Sequence, residues 1–212
     1  EIRETFGRYV SPQVRDEILT GRAELDGGLR DVSILFADLR GFTTWVEATD
    51  PSVVVSDLNA YFSEMDAAIR ENAGLVLQFI GDEIEAVFGA PQADDRHADH
   101  AVAAALAMQQ RLDALNATRR AEGKPDLRHG IGIHSGQVVA GNIGSATRMS
   151  YSLVGDVVNV ASRIQSLNKE LDTRVLVSAA TIHQLSVNPP MRAFPSVRVK
   201  GRVAEVEVFA LA

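Results

Sequence analysis

The chain has no cysteine, which excludes a disulfide scaffold and removes the usual sulfur ligands of a zinc site. That absence fits a reducing compartment without establishing one, and the expected location is cytoplasmic. Long apolar runs are missing too. The longest weakly polar stretch, Ala98 to Met108, is broken by Asp99 and His100 and falls short of the roughly 18 residues a membrane span needs. No basic-then-apolar leader opens the chain. There is no basic excess: 21 basic against 28 acidic side chains leave a net charge of −7, which argues against a duplex-DNA binder. It leaves nucleotide binding open, because that needs only a few local cations and metals. Internal repeats and low-complexity tracts are absent.

What is present is an ordinary globular mix, 46% apolar and 23% charged over 212 residues, suited to one large domain with an appendage. Because the chain starts at Glu1 rather than Met, it reads as a piece of a longer protein. Residues 1–29 read as a helical appendage broken at Ser11-Pro12, and 30–212 as the main domain. The β-branched run from Asp31 to Asp38 predicts a buried strand. Asp50-Pro51 predicts a capped helix that ends at Gly74. Two strands, 75–80 and 83–88, follow around a tight turn at Gly81-Asp82, and then an Ala-rich helix over 94–121. A second hairpin is expected over 127–134 and 137–143, turning at Ser135-Gly136, with a polar loop over 144–152. A helix from Gly155-Asp156 to about Leu171, a strand at 175–178, a short helix at 179–185 and strands near 194–199 and 206–210 complete the pattern. The order is that of an α+β domain with a ferredoxin-like βαββαβ core and added C-terminal strands. In that plan the first strand lies beside the 2–3 hairpin, and the crossover rule brings Asp38 near Asp82.

Two constellations carry chemistry. Two carboxylates facing each other at a sheet edge repel unless a cation lies between them, and oxygen-only ligation suits Mg²⁺ or Mn²⁺. The alternative is that Asp38 caps the following helix and Asp82 only forms a turn. The segment Leu39 to Thr44 leads into a helix whose N–H groups are placed to cradle a phosphate. Further on, Asn159 and Arg163 are four residues apart on one helix, an amide and a guanidinium side by side. Their alternative is a solvated amide and an arginine paired with a carboxylate.

With these pieces placed, residues 30–211 resemble a class III nucleotidyl cyclase catalytic domain. The resemblance rests on Leu35-Phe-Ala-Asp-Leu-Arg-Gly-Phe-Thr43, Phe79-Ile-Gly-Asp-Glu83, Gly132-Ile-His-Ser-Gly136, Gly155-Asp-Val-Val-Asn159-Val-Ala-Ser-Arg163 and Lys200-Gly201. Each motif alone is weak; five in the family's order are specific. It implies cyclisation of ATP to 3′,5′-cyclic AMP and pyrophosphate with two Mg²⁺ or Mn²⁺ ions. Asp38 and Asp82 match the metal-binding aspartates, with the Leu39 carbonyl as a further ligand. Asn159 matches the ribose-orienting residue and Arg163 the one that stabilises the transferring phosphoryl group. Phe42, Thr43 and Lys200 match phosphate-binding positions. Such domains work as dimers with the aspartates from one chain and the Asn/Arg pair from the other, so a homodimer is expected, fed by an upstream sensor module and needing no nucleic acid.

One pair of positions departs from the pattern. Four residues before Asp82, where adenylyl members carry Lys and guanylyl members Glu, stands Gln78; three before Gly155, where adenylyl members often carry Asp or Thr, stands Ser152. Both side chains donate and accept, so a guanylyl or dual-specificity enzyme is the alternative, and a catalytically weak regulatory domain is another. A diguanylate cyclase fits less well, because the turn reads Ile80-Gly-Asp-Glu-Ile84. His97, His100 and His183 are expected to be solvated and His134 structural, Trp45 is expected to pack, and the loop with Arg148 resembles a dimerisation arm.

Overall fold

A computed structural model of the chain describes residues 27–145, 148–195, 197–198 and 205–211. The N-terminal appendage therefore lies almost wholly outside the described residues. Within them the order is β1 (Gly28–Leu39), α1 (Phe42–Glu47), α2 (Pro51–Glu71), β2 (Leu75–Ile80), β3 (Glu83–Phe88), α3 (His97–Ala121), β4 (His129–Ser145), β5 (Arg148–Val154), α4 (Asp156–Glu170), β6 (Val175–Ser178), α5 (Ala179–Ile182), β7 (Met191–Ala193), β8 (Val197–Arg198), β9 (Glu205–Val206) and β10 (Val208–Leu211).

The main sheet has eight strands in the order β2-β3-β1-β4-β6-β10-β7, with β5 on β4; β8 and β9 pair separately. The segment β2-β3-β1-β4 is the expected ferredoxin-like core, and β1 is central. Its run Val32 to Ala37 is buried on both faces, which is why it reads as a continuous apolar stretch rather than an alternating one. Leu35, Ala37 and Leu39 face α2 and α3, packing with Tyr61, Met65, Ile69, Ala104 and Met108. Val32, Ile34 and Phe36 face the other side, with Ala161 of α4. Asp50 caps α2 by accepting from the Ser52 N–H at 2.8 Å, with Pro51 at the first helical position, as expected.

Three expectations are corrected. Residues 127–143 do not form a hairpin: β4 runs unbroken through Ser135-Gly136, pairing with β1 from Gly28↔Ala140 to Leu39↔His129. Gly136, which suggested the turn, and Gly132 instead make a groove for α4. A Cβ at Gly132 would lie 2.2 Å from the Gln165 backbone nitrogen, and one at Gly136 would lie 2.8 Å from Val157 Cγ2. The polar stretch after it is not a loop: β5 pairs with β4 from Val139↔Val154 to Ser145↔Arg148 and extends it as a two-stranded ribbon. Near the C-terminus, Phe194 and Pro195 lie outside any strand, so the strand expected from 194 does not begin there, and its described part is Val197–Arg198. Proline has no N–H to continue a ladder.

The groove yields a direct test. Gly132→Ala places a methyl group against backbone rather than against a movable side chain, so urea denaturation should show a loss of about 1–3 kcal/mol or more.

Candidate functional site

The ladder lengths around β1 build the site. Its pairing with β3 ends at Ala37↔Ile84, whereas its pairing with β4 continues to Leu39↔His129 and beyond, through the Arg40 N–H donating to the Arg128 carbonyl at 2.8 Å. β1 therefore projects past the point where β3 turns back, leaving a notch beside the β2–β3 turn. Asp38 and Asp82 meet there, within side-chain hydrogen-bond reach. Since Arg40 points its amide at β4, strand alternation turns the Leu39 peptide towards the notch, and the Leu39 N–H donates to the Asp38 carboxylate. Gly41, not Asp38, stands at the N-cap of α1, so the capping alternative for Asp38 does not hold.

Electrostatics at the notch is one-sided. The Asp38 carboxyl is pushed up to about 7, first by burial, then by the hydrogen bond with Asp82 and the charges of Asp82 and Glu83; the Leu39 N–H opposes the rise. Glu83 is raised as well, by burial and by the charges of Glu85 and Asp82. Behind the pair lies a neutral wall. Tyr61 is fully buried, and burial with the charges of Asp38 and Asp82 keeps its hydroxyl protonated. It lies 2.9 Å from His129 Nδ1. His129 is held neutral by burial and by the charges of Arg40 and Arg174, its pKa lowered to about 3. Arg40, the nearest cation in sequence, turns away: its guanidinium donates to the carbonyls of Asn168, at 3.0 Å, and Thr173, at the C-terminal end of α4. Among the described residues no basic side chain is left to sit between the carboxylates. Among the described residues no cluster of three or more His, Asp or Glu side chains is arranged to hold a metal. Two carboxylates and a peptide carbonyl leave most of an octahedral shell to water or to a phosphate-bearing ligand, as hard divalent cations prefer.

The other expected residues fall elsewhere. Asn159 is exposed and Arg163 half-buried on α4, which packs across β4 and β1 on the face opposite α2 and α3. Among the described residues neither side chain has a hydrogen-bond or ion-pair partner, and nothing joins them to Asp38 or Asp82. Phe42 packs partly against the core and Thr43 is exposed, both in the first turn of α1. Gln78 is exposed on β2, its Nε2 donating to Glu85 Oε2 at 2.6 Å. Ser152 sits on β5, its hydroxyl 3.3 Å from the Ser150 carbonyl. Lys200 lies outside the described residues, as does the Arg148 side chain.

The histidines divide. His134 is structural, 2.7 Å from Ser178 Oγ, and Trp45 packs on Phe42 and beneath the Arg119 guanidinium. His97 and His100 depart from the solvated reading. His97 is buried, 2.9 Å from Ser33 Oγ, and held neutral by that burial; His100 is half-buried, 2.6 Å from an Asp94 carboxylate oxygen. Sequence reasoning missed Glu85, Tyr61, His129 and Arg40. Only Glu85 left a signal, as an acid inside an otherwise apolar strand.

The family model for the adenylate and guanylate cyclase catalytic domain matches residues 27–212. Adenylate cyclase 1 of Rhizobium meliloti is 38% identical over 207 residues, 97% of this chain and 31% of that protein. Adenylate cyclase of Anabaena cylindrica is 37% identical over 211 residues, 96% of this chain and 40% of its own length. The chain thus spans well under half of these relatives. Among solved structures, guanylyl cyclase Cya2 superposes with a TM-score of 0.82 at 36% identity, covering 88% of this chain and 93% of that one. Adenylyl cyclase CyaB from P. aeruginosa gives 0.81 at 29%, over 88% and 95% of the two chains. A bacterial light-regulated adenylyl cyclase gives 0.87 at 28%, over 99% of this chain and 60% of that one.

The carboxylate pair predicts an inverted pH response. Between its ordinary value of 3.8 and about 7, native Asp38 holds a proton that the unfolded chain has lost, so its contribution to stability falls as pH rises through that window. Without divalent ions, Asp38→Asn should melt above wild type at pH 8 and match it below about pH 4. Excess Mg²⁺ or Mn²⁺ should raise the wild-type melting temperature more than that of the variant, read by scanning fluorimetry.

Proposed function

Because the chain belongs to the adenylate and guanylate cyclase catalytic-domain family, we propose that it converts ATP to 3′,5′-cyclic AMP and pyrophosphate. The observation that carries the reading is the notch. Asp38 and Asp82 converge at one sheet edge, half-buried, with no cation among the described residues to neutralise them. The donor set fits two Mg²⁺ or Mn²⁺ ions, held by both carboxylates and the Leu39 carbonyl. Bound there, such ions make the ribose 3′-hydroxyl more acidic and neutralise triphosphate charge. The rest falls to the chain. Phe42 and Thr43 present backbone N–H groups to the phosphates, and Lys200 reaches their terminal end. Asn159 orients the ribose so that the 3′-oxygen lies in line with the α-phosphorus. That oxygen forms the new bond as the bond to the bridging oxygen of pyrophosphate breaks, and its proton passes to water. Arg163 meets the charge that grows on the transferring phosphoryl oxygens. Gln78 and Ser152 contact the purine.

Asn159 and Arg163 stand on α4, apart from the notch, which supports a site completed by a second copy. A homodimer then holds two such sites. Exposed apolar side chains Phe79, Ile80, Ile143, Met149 and Val154 offer surface for that contact. Residues 1–29 would join the domain to an upstream sensor module, consistent with the greater length of the relatives. No helix of the described residues is long and apolar enough to cross a membrane. A cytoplasmic catalytic domain is the matching location. GTP is the second reading, favoured by the likeness to guanylyl cyclase Cya2 and by Gln78, which is neither the Lys nor the Glu of the two types.

The test is turnover of ATP and GTP side by side with Mg²⁺ and Mn²⁺, with products identified by mass. Asp38→Asn and Asp82→Asn should abolish product, and Arg163→Ala should lower the rate about 10²–10³-fold. Mixing the Asp38→Asn and Arg163→Ala proteins should give activity well above that of either alone, through one intact shared site. Failure of that mixture to regain activity overturns the shared-site reading, and inertness toward both nucleotides overturns the cyclase reading.

A further inference from the structure

Glu85 is an odd residue to find where it is. It lies between Ile84 and Ala86 in β3, 6% exposed, with Phe36 as its cross-strand neighbour on β1. Burial raises its pKa, and the hydrogen bond from Gln78 opposes the rise. Among the described residues that Gln78 amide is its one hydrogen-bond partner, at 2.6 Å. A carboxylate buried with a single partner destabilises the fold relative to an apolar side chain of the same size, so packing does not account for it.

The strand pairing shows how the contact is made. The β2–β3 ladder runs Leu75↔Val87 and Val76↔Ala86 and then jumps to Gln78↔Glu85, leaving Leu77 as an extra residue. Val76 packs with the core on the α2 and α3 side, as Ala86 does. Without the extra residue, Gln78, two positions on, would point the same way. The bulge reverses its facing and sets it directly opposite Glu85, on the side where Val87 packs with Phe36. Backbone irregularity and buried charge thus serve the same end, an amide held in one orientation.

We infer that Glu85 is a specificity-determining residue that fixes the polarity with which Gln78 reads the purine. This rests on the cyclase reading, in which Gln78 contacts the base. An unrestrained amide rotates to offer either its carbonyl or its NH₂ and accommodates both purines. By accepting from Nε2, Glu85 stops that rotation and leaves Oε1 as the uncommitted acceptor. The six-position edges of the purines are opposite in polarity: adenine presents an amino donor beside an acceptor nitrogen, guanine a carbonyl acceptor beside an N–H donor. A pinned amide matches one and opposes the other, and a mismatch leaves a desolvated polar group unpaired. Glu85 does not touch the nucleotide; it acts through Gln78.

The experiment compares kcat/KM for ATP and GTP, together with binding of 3′-deoxy-ATP and 3′-deoxy-GTP, which retain the base but cannot cyclise. Wild type should prefer one purine, and Glu85→Met should move the ratio toward unity by about tenfold or more without lowering the melting temperature. Glu85→Gln, which keeps size but both donates and accepts, should shift it in the same direction. In a Gln78→Ala background the Glu85 substitution should leave the ratio unchanged, because the two residues act as one unit. An unaltered ratio in the single variants, equal purine preference in wild type, an undiminished effect in the Gln78→Ala background, or no binding of either analogue overturns the inference. Intact binding preference without turnover overturns only the cyclase reading.

Discussion

The molecule is organised around two carboxylates that should not be together. Asp38 and Asp82 approach within hydrogen-bond reach in a half-buried notch with Glu83 nearby and, among the described residues, no basic side chain to balance them. Left alone, the pair binds a proton up to about pH 7. The described groups behind the pair are committed to other partners. Tyr61 is paired with His129, His129 is kept uncharged by burial, and Arg40 is spent on the carbonyls at the end of α4. Oxygen donors placed this way suit a hard divalent cation.

The rest of the architecture follows from holding that notch open. β1 must outrun β3, so its last pairs are made with β4 alone. β4 in turn must be long enough to support β1 on one side and β6 and β5 on the other, which is why it spans 17 residues. The helix with Asn159 and Arg163 lies on the opposite face from α2 and α3, packed on β4. One chain thus holds the carboxylate pair and the Asn159–Arg163 pair on separate elements.

How much of this was legible in the amino-acid sequence depended on whether a residue's neighbours were local. β2 and β3 were readable to their ends because turn residues flank them, and α2 because Asp50-Pro51 states its own start. The Asp38–Asp82 approach followed from crossover handedness alone. Gly136 was misread because a glycine after a serine in a polar setting resembles a turn; its partner, Val157, is 21 positions away. β5 is hard to read because its packed face, Tyr151 and Leu153, is only partly buried and alternates with serines in a polar stretch. His97 was taken as solvated because nothing nearby in sequence reveals Ser33, 64 positions earlier. Glu85 was visible as an acid in an apolar run, but its link to Gln78 required knowing that the ladder skips Leu77.

The groove in β4 has a consequence for anyone who alters this domain. Where α4 crosses Gly132 it rests against backbone atoms rather than interleaved side chains, so its height above the sheet is fixed by main-chain van der Waals radii. A methyl group at position 132 would meet the Gln165 main chain directly, so α4 would have to lift, and Asn159 and Arg163 would move with it.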